Sequence, residues 1–291
     1  MHIRALEKNN KMGYLFFISY NGIYFDSFDD MEGKKTIKGE FSKILRQLNF
    51  SWAKGIQQAG RTDKHVSANE NILYVSSSFY GNIDKLKNDF NKISINQLQI
   101  KKIIKTLPNL IIPDLVDKRE YFYTPSKKYI LNSQKDIIKS AKYLSGTYDM
   151  SEFTDVKGKL FKNLIRQVEI SFDNNSLRFI GDSFLPHQVR IMAAYILSNE
   201  KKIYPGKFLT LNKIYIKNEL QNILFFPISK NEFENTHLID QVEKSSDGSL
   251  YIFYIKNKHK GEFIGKNGKN IKTLRKALGN ILVREISDDN Y

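Results

Sequence analysis

The sequence predicts an α+β fold in three consecutive units. Strand-like and helix-like segments alternate through residues 12–110. A second unit, residues 111–228, mixes strands and amphipathic helices again. A short unit, residues 249–291, closes the chain with a strand, two helices around a Gly-x-x-Gly turn, and a last strand. As a prior, 291 residues suit about two domains.

Taken in order, residues 14–20 (Tyr-Leu-Phe-Phe-Ile-Ser-Tyr) read as a buried strand ended by Asn21-Gly22. Residues 23–35 read as loop. Phe41, Ile44, Leu45 and Leu48 fall at i, i+3, i+4 and i+7, which predicts a helix over 38–48. A loop beginning at Gln57 leads to a strand at 72–79, and Ile83, Leu86, Phe90 and Ile93 repeat at helical spacing. In the second unit, Arg119-Glu120-Tyr121-Phe122-Tyr123 alternates as a strand, with Tyr121 and Tyr123 on one face. Ser133 suits the N-cap of a helix through Leu144, closed by Gly146. Strands at 164–172 and 176–180 flank the turn Asp173-Asn174-Asn175. Residues 187–198 read as helix, and 214–216 and 223–226 as short strands. The polar stretch 229–248 reads as a linker.

Lys and Arg number 46 against 31 Asp and Glu, a net charge of +15. That surplus points to a polyanionic partner, nucleic acid first, with a solvated basic surface as the plainer reading. The 41% hydrophobic share supports a packed core. The absence of cysteine excludes disulfides, thiolate zinc sites, iron–sulfur clusters and cysteine nucleophiles. The five His stand at no zinc-binding spacing. No apolar run approaches the roughly 20 residues of a membrane span. Residues 1–11 lack the apolar stretch of a secretory signal, so a cytoplasmic protein is expected.

Gly60-Arg61-Thr62-Asp63 lies in a loop ahead of a strand. An Asp held beside an Arg stays ionised and suits the role of nucleophile or electrostatic partner. On spacing alone, a turn-stabilising Asp with a surface Arg is the simpler reading. At residues 181–190 a strand end leads into a helix with Pro186 near its start. The helix dipole disfavours an Arg in the first turns, so Arg190 needs another partner, such as a buried carboxylate. His65 and His187 stand alone in sequence, and Trp52 reads as packing.

Together these stretches resemble the TruA family of tRNA pseudouridine synthases. The family's Gly-Arg-Thr-Asp loop stands here as Gly60-Arg61-Thr62-Asp63-Lys64-His65-Val66-Ser67-Ala68, in a form similar to the archaeal and eukaryotic branch. The family's Arg-x-Tyr-x-Tyr strand resembles residues 119–123, with Tyr121 at the active-site tyrosine. Its Phe-x-x-x-x-Val-Arg segment resembles Phe184-Leu185-Pro186-His187-Gln188-Val189-Arg190, and Tyr20-Asn21-Gly22 resembles its first-strand turn. Three places depart from the pattern. His65 replaces a Gly, Phe28-Asp29-Asp30-Met31 replaces a Gly-Trp-Gln-type segment, and Asn163 stands where an Arg is usual, with Arg166 near.

The resemblance implies two similar α/β halves joined through a mainly antiparallel sheet, with an RNA cleft between them. It implies tRNA as partner, a target near the anticodon stem-loop, a homodimer, and no cofactor. It implies Asp63 as the carboxylate that acts at C1′ of the uridine, with Arg190 paired to it. Arg61 would assist base extrusion, and Tyr121 would pack on the flipped base. The alternative, to which His65 and the Asp29-Asp30 pair speak, is an inactive RNA-binding or RNA-chaperone protein on the same scaffold.

The last unit carries Gly265-Lys266-Asn267-Gly268-Lys269. From Tyr251 to Lys276 there are eight Lys or Arg and one acid, Glu262. The order strand, helix, Gly-x-x-Gly, helix, strand resembles a KH domain. That resemblance implies residues 265–269 as RNA contacts, the glycines letting backbone approach sugar-phosphate and the lysines meeting phosphate. A glycine-rich helix hairpin with a solvated basic face is the plainer reading.

Overall fold

The computed structural model describes Leu6, residues 10–155 and residues 163–286. The first half runs β1 (Met12–Tyr20), α1 (Ile37–Gln47), β2 (Ala53–Gln58), β3 (Ser67–Ser77), α2 (Ile83–Ser94) and β4 (Leu98–Thr106). The second runs β5 (Val116–Tyr123), α3 (Gln134–Tyr143), β6 (Gly146–Asp149), β7 (Ile165–Asp173), β8 (Ser176–Gly181), α4 (Gln188–Ser198) and β9 (Leu209–Ile216). A short α5 (Asn218–Asn222) and β10 (Phe225–Ile228) lead into β11 (Gln241–Ser245), β12 (Leu250–Lys256), α6 (Asn257–Ile264), α7 (Lys269–Leu278) and β13 (Asn280–Ile286).

These strands form one sheet in the order β13-β12-β11-β10-β4-β1-β3-β9-β5-β8-β7-β6, with β2 paired to β3 off that path. Pairing is antiparallel except at β3–β9 and β12–β13. The α+β class therefore holds. The seam between the two halves is the short parallel contact of Ser67 and Ala68 with Thr210 and Leu211.

β1 is buried on both faces because it is a central strand between β3 and β4. Phe16 meets Phe41 of α1 edge-on at 5.1 Å, and Phe50 at 5.6 Å. Phe41, Ile44 and Leu45 of α1 are fully buried, each worth about 2 kcal/mol. Ser133 caps α3 as its sequence suggests, accepting from Asp136 N at 3.2 Å. Asn174 and Asn175 take φ of 48° and 60°, which turns β7 tightly into β8.

Three expectations change. The loop expected from Gln57 is preceded by β2, which hid because Ala-Lys-Gly-Ile-Gln-Gln carries little apolar signal. The strand expected at 72–79 begins earlier, at Ser67, because its first residues make the seam with β9. The stretch 229–248 is more than a linker, since it holds β11, paired to both β10 and β12. Its buried Glu243 looks solvent-facing in sequence. In the fold, Lys105 of β4 donates to it at 2.8 Å, Tyr254 at 2.7 Å and Gln241 at 3.0 Å. Among the described residues, no helix is long and apolar enough to cross a membrane.

Candidate active site

The loop between β2 and β3 ends at the seam of the two halves, and the fold pins it from several sides. Ala59 O accepts from Arg119 Nε at 3.0 Å and Nη2 at 2.7 Å. Gly60 O accepts from the buried Asn71 amide at 2.8 Å, and Tyr20 Oη lies 2.9 Å from Thr62 Oγ1. Asp63 O accepts from Val66 N at 3.1 Å, which closes the turn. His65 inside that turn takes φ 64°. It thus occupies the left-handed region that a Gly fills without strain, at a cost of roughly 1 kcal/mol. A Cβ on Gly22 would lie 2.2 Å from Val66 O, and one on Gly206 would lie 2.4 Å from Lys64 O. Only glycine lets both turns press so closely on the loop.

Asp63 borders a cavity of about 410 Å³ whose walls include Arg61, Arg119, Tyr121, Phe184, His187 and Arg190. Arg190 Nη1 donates to Asp63 Oδ2 at 3.1 Å. Its Nε donates to Tyr204 O at 2.5 Å, so backbone fixes one edge of the guanidinium while the carboxylate takes the other. This is the partner that an Arg in the first turn of a helix requires. Tyr121 is buried, its ring edge-on to Phe184 at 5.4 Å. Burial pushes its phenol up to about 12, with Arg119 pulling it down and Asp63 pushing it up. At neutral pH the group is a phenol, able to donate a proton in a hydrogen bond.

Arg61 is not gathered onto Asp63. Its side chain is 73% exposed at the mouth, with Nε 3.1 Å from Asp29 Oδ2. Lys38 holds the other oxygen of that carboxylate at 2.8 Å. Asp30 accepts from Thr36 Oγ1 at 3.0 Å, beside the N-cap of α1. The two acids that depart from the family pattern thus have partners within this fold.

Sequence reasoning set His187 aside, and the structure brings it in. It caps α4 from φ 59°, with Nε2 3.6 Å from Asp63 Oδ2 and Nδ1 2.7 Å from Asp155 Oδ1. The one available signal was its spacing, three residues ahead of Arg190 at a helix start.

The Gly-x-x-Gly segment lies in the C-terminal unit. Lys266–Gly268 make a single 3-10 turn between α6 and α7, with φ of 76° at Gly265, 54° at Asn267 and 72° at Gly268. Lys266, Asn267 and Lys269 are exposed, while Phe263 and Ile271 anchor the flanking helices in a core of their own.

Comparison with known proteins agrees with this layout. Residues 140–213 match a tRNA pseudouridine synthase family model, and residues 229–287 match a KH domain model. The chain is 29% identical over 209 residues to tRNA pseudouridine synthase A of Borrelia duttonii, spanning 64% of this chain and 82% of that one. It is 23% identical over 205 residues to tRNA pseudouridine synthase A 1 of Bacillus cereus, spanning 62% and 81%. A crystal structure of pseudouridylate synthase overlays 78% of this chain and 74% of its own at 14% identity, with a TM-score of 0.33 that is too loose to place any residue. Over 62–64% of its length the chain is similar to TruA-family tRNA pseudouridine synthases, and the stretch that follows is similar to a KH domain.

Proposed function

We propose that this protein isomerises uridine to pseudouridine in tRNA, with Asp63 as the catalytic carboxylate. The observation that carries this reading is the Arg190–Asp63 pair at 3.1 Å on the wall of a cavity at the seam of the two halves. The reaction opens the C1′–N1 bond, turns the uracil and closes a C1′–C5 bond. The C5 proton leaves and N1 gains one. Positive charge develops at C1′ as the first bond opens, and a fixed carboxylate opposes it, as in glycosidases. Tyr121 offers a flat apolar face with a neutral phenol for a flipped base. Arg61, exposed at the mouth, is free to follow the RNA strand once it exchanges Asp29 for phosphate. Lys266, Asn267 and Lys269, with Gly265 and Gly268, would hold a single-stranded stretch of the same RNA.

The inactive-scaffold alternative rested on His65 and the Asp29-Asp30 pair. His65 takes the backbone conformation the loop needs, and Asp29 has Arg61 and Lys38 as partners, which supports the active reading over the scaffold. The test is single-nucleotide pseudouridine mapping of a tRNA pool treated with the wild type and with Asp63→Ala. New pseudouridine with the wild type alone is expected, and its position names the target. Tight tRNA binding without any pseudouridine would overturn the reading in favour of a binding protein.

A further inference from the structure

We propose that His187 is a positioning residue that ties the Asp63 carboxylate to Asp155 and so fixes which oxygen of Asp63 faces the substrate. The inference rests on the reading of Asp63 as the catalytic carboxylate. Arg190 alone contacts Asp63 through one nitrogen and one oxygen, a hinge about which a carboxylate can turn. His187 Nε2 approaches that same Oδ2, at 3.6 Å, from a second direction. Both contacts fall on Oδ2, so the two side chains hold the same oxygen of the carboxylate that borders the cavity.

Three observations show that the imidazole is held in place. Its backbone sits at φ 59° and ψ 0°, a left-handed conformation that costs a His roughly 1 kcal/mol. Its Nδ1 is buried and takes no aligned hydrogen bond; its close neighbour is Asp155 Oδ1 at 2.7 Å, an ion-pair contact. Thr154 Oγ1 donates to Pro186 O at 2.9 Å, which draws the segment of Asp155 against the start of α4. Among the described residues, the charged groups placed around the imidazole are Asp63, Asp155 and, on its own helix, Arg190. An imidazole wedged between the two carboxylates restricts how the Asp63 carboxylate can turn, so Asp155 steadies Asp63 through His187.

The test compares His187→Asn, Asp155→Asn, the double variant and an Asp63→Ala control in single-turnover isomerisation, alongside tRNA affinity. Asn takes the left-handed region readily, so the helix start survives the loss of the imidazole. Asp155→Asn changes a side chain that is 43% exposed and leaves α4 untouched, which gives a second route should His187→Asn fold poorly. His187→Asn is expected to slow the chemical step roughly tenfold to a hundredfold, with tRNA affinity kept within about twofold. Asp155→Asn should slow it less, and the double variant no more than His187→Asn. An unchanged chemical step in His187→Asn, a loss confined to affinity, or independent additive losses would each overturn the proposal. If Asp63→Ala is inactive while His187→Asn turns over normally, this inference alone fails. If Asp63→Ala stays active, the underlying reading fails with it.

Discussion

Arg61 and Arg190 line the same cavity as Asp63 in opposite situations. Arg190 is 14% exposed and fixed on Asp63, while Arg61 is exposed and rests on Asp29. Asp29 places a negative charge where a polyanion approaches, already neutralised in part by Lys38. Asp29→Asn should therefore raise tRNA affinity about threefold at low salt and steepen its salt dependence, as measured by binding titrations at two ionic strengths. Unchanged or weaker binding would show that Asp29 serves to aim Arg61 at the RNA. The need of Arg190 for a carboxylate partner was legible from its place at a helix start, whereas Asp63 stood out only through the family resemblance, since its spacing alone reads as a turn-stabilising Asp. The cluster of Asp63, His187 and Asp155 was not legible, because it is assembled from three separate segments and no periodicity signals it.

Strand β5 presents chemistry on both faces. Tyr121 lies on the cavity wall, and Glu120 lies on the opposite side, 4% exposed. Glu120 accepts from Arg178 at 2.8 Å, Tyr215 at 2.8 Å and Asn212 at 2.7 Å. Burial alone would push its carboxyl up, but these three donors together hold it below the ordinary range. Its stabilisation is therefore present above the usual glutamate range and is lost as pH falls through the lower folded value. Glu120→Gln should cost about 2 kcal/mol at neutral pH. Denaturant unfolding in acid should show that cost shrinking, and an equal cost at both pH values would contradict the network. Helices α1 to α3 were legible because their apolar spacing and caps agree. β4 gave no clear signal, because Lys101 and Lys102 interrupt its apolar alternation where the pairing with β1 shifts register.

At the scale of the whole molecule, the C-terminal unit is an extension of the synthase sheet. β12 lies five strand steps from β3, about 25 Å along the sheet at the usual strand spacing. Along the sheet the join is the β10–β4 pairing of Phe225 with Lys105, reinforced by the buried Lys105–Glu243 ion pair at 2.8 Å and by Ile252, Tyr254 and Leu282, which share the apolar core of the two halves. Lys105→Met would leave Glu243 buried without its cation and should cost about 3 kcal/mol, much of it recovered by adding Glu243→Leu. Calorimetry of the wild type should show one unfolding transition, and two separate ones would contradict a fused sheet. The motif order in sequence showed both units, yet not their fusion, because the strand pairing, the Tyr80–Tyr254 ring contact, the shared apolar core and the Lys105–Glu243 pair all join residues far apart in sequence.

The most direct measurement is release of tritium from tRNA carrying uridine tritiated at C5, since closing the C1′–C5 bond expels that hydrogen. The wild type is expected to release it, and Asp63→Asn, folded and still bound to tRNA, is expected to release none. Release by Asp63→Asn at the wild-type rate, or no release by the wild type, would contradict Asp63 as the carboxylate that acts at C1′.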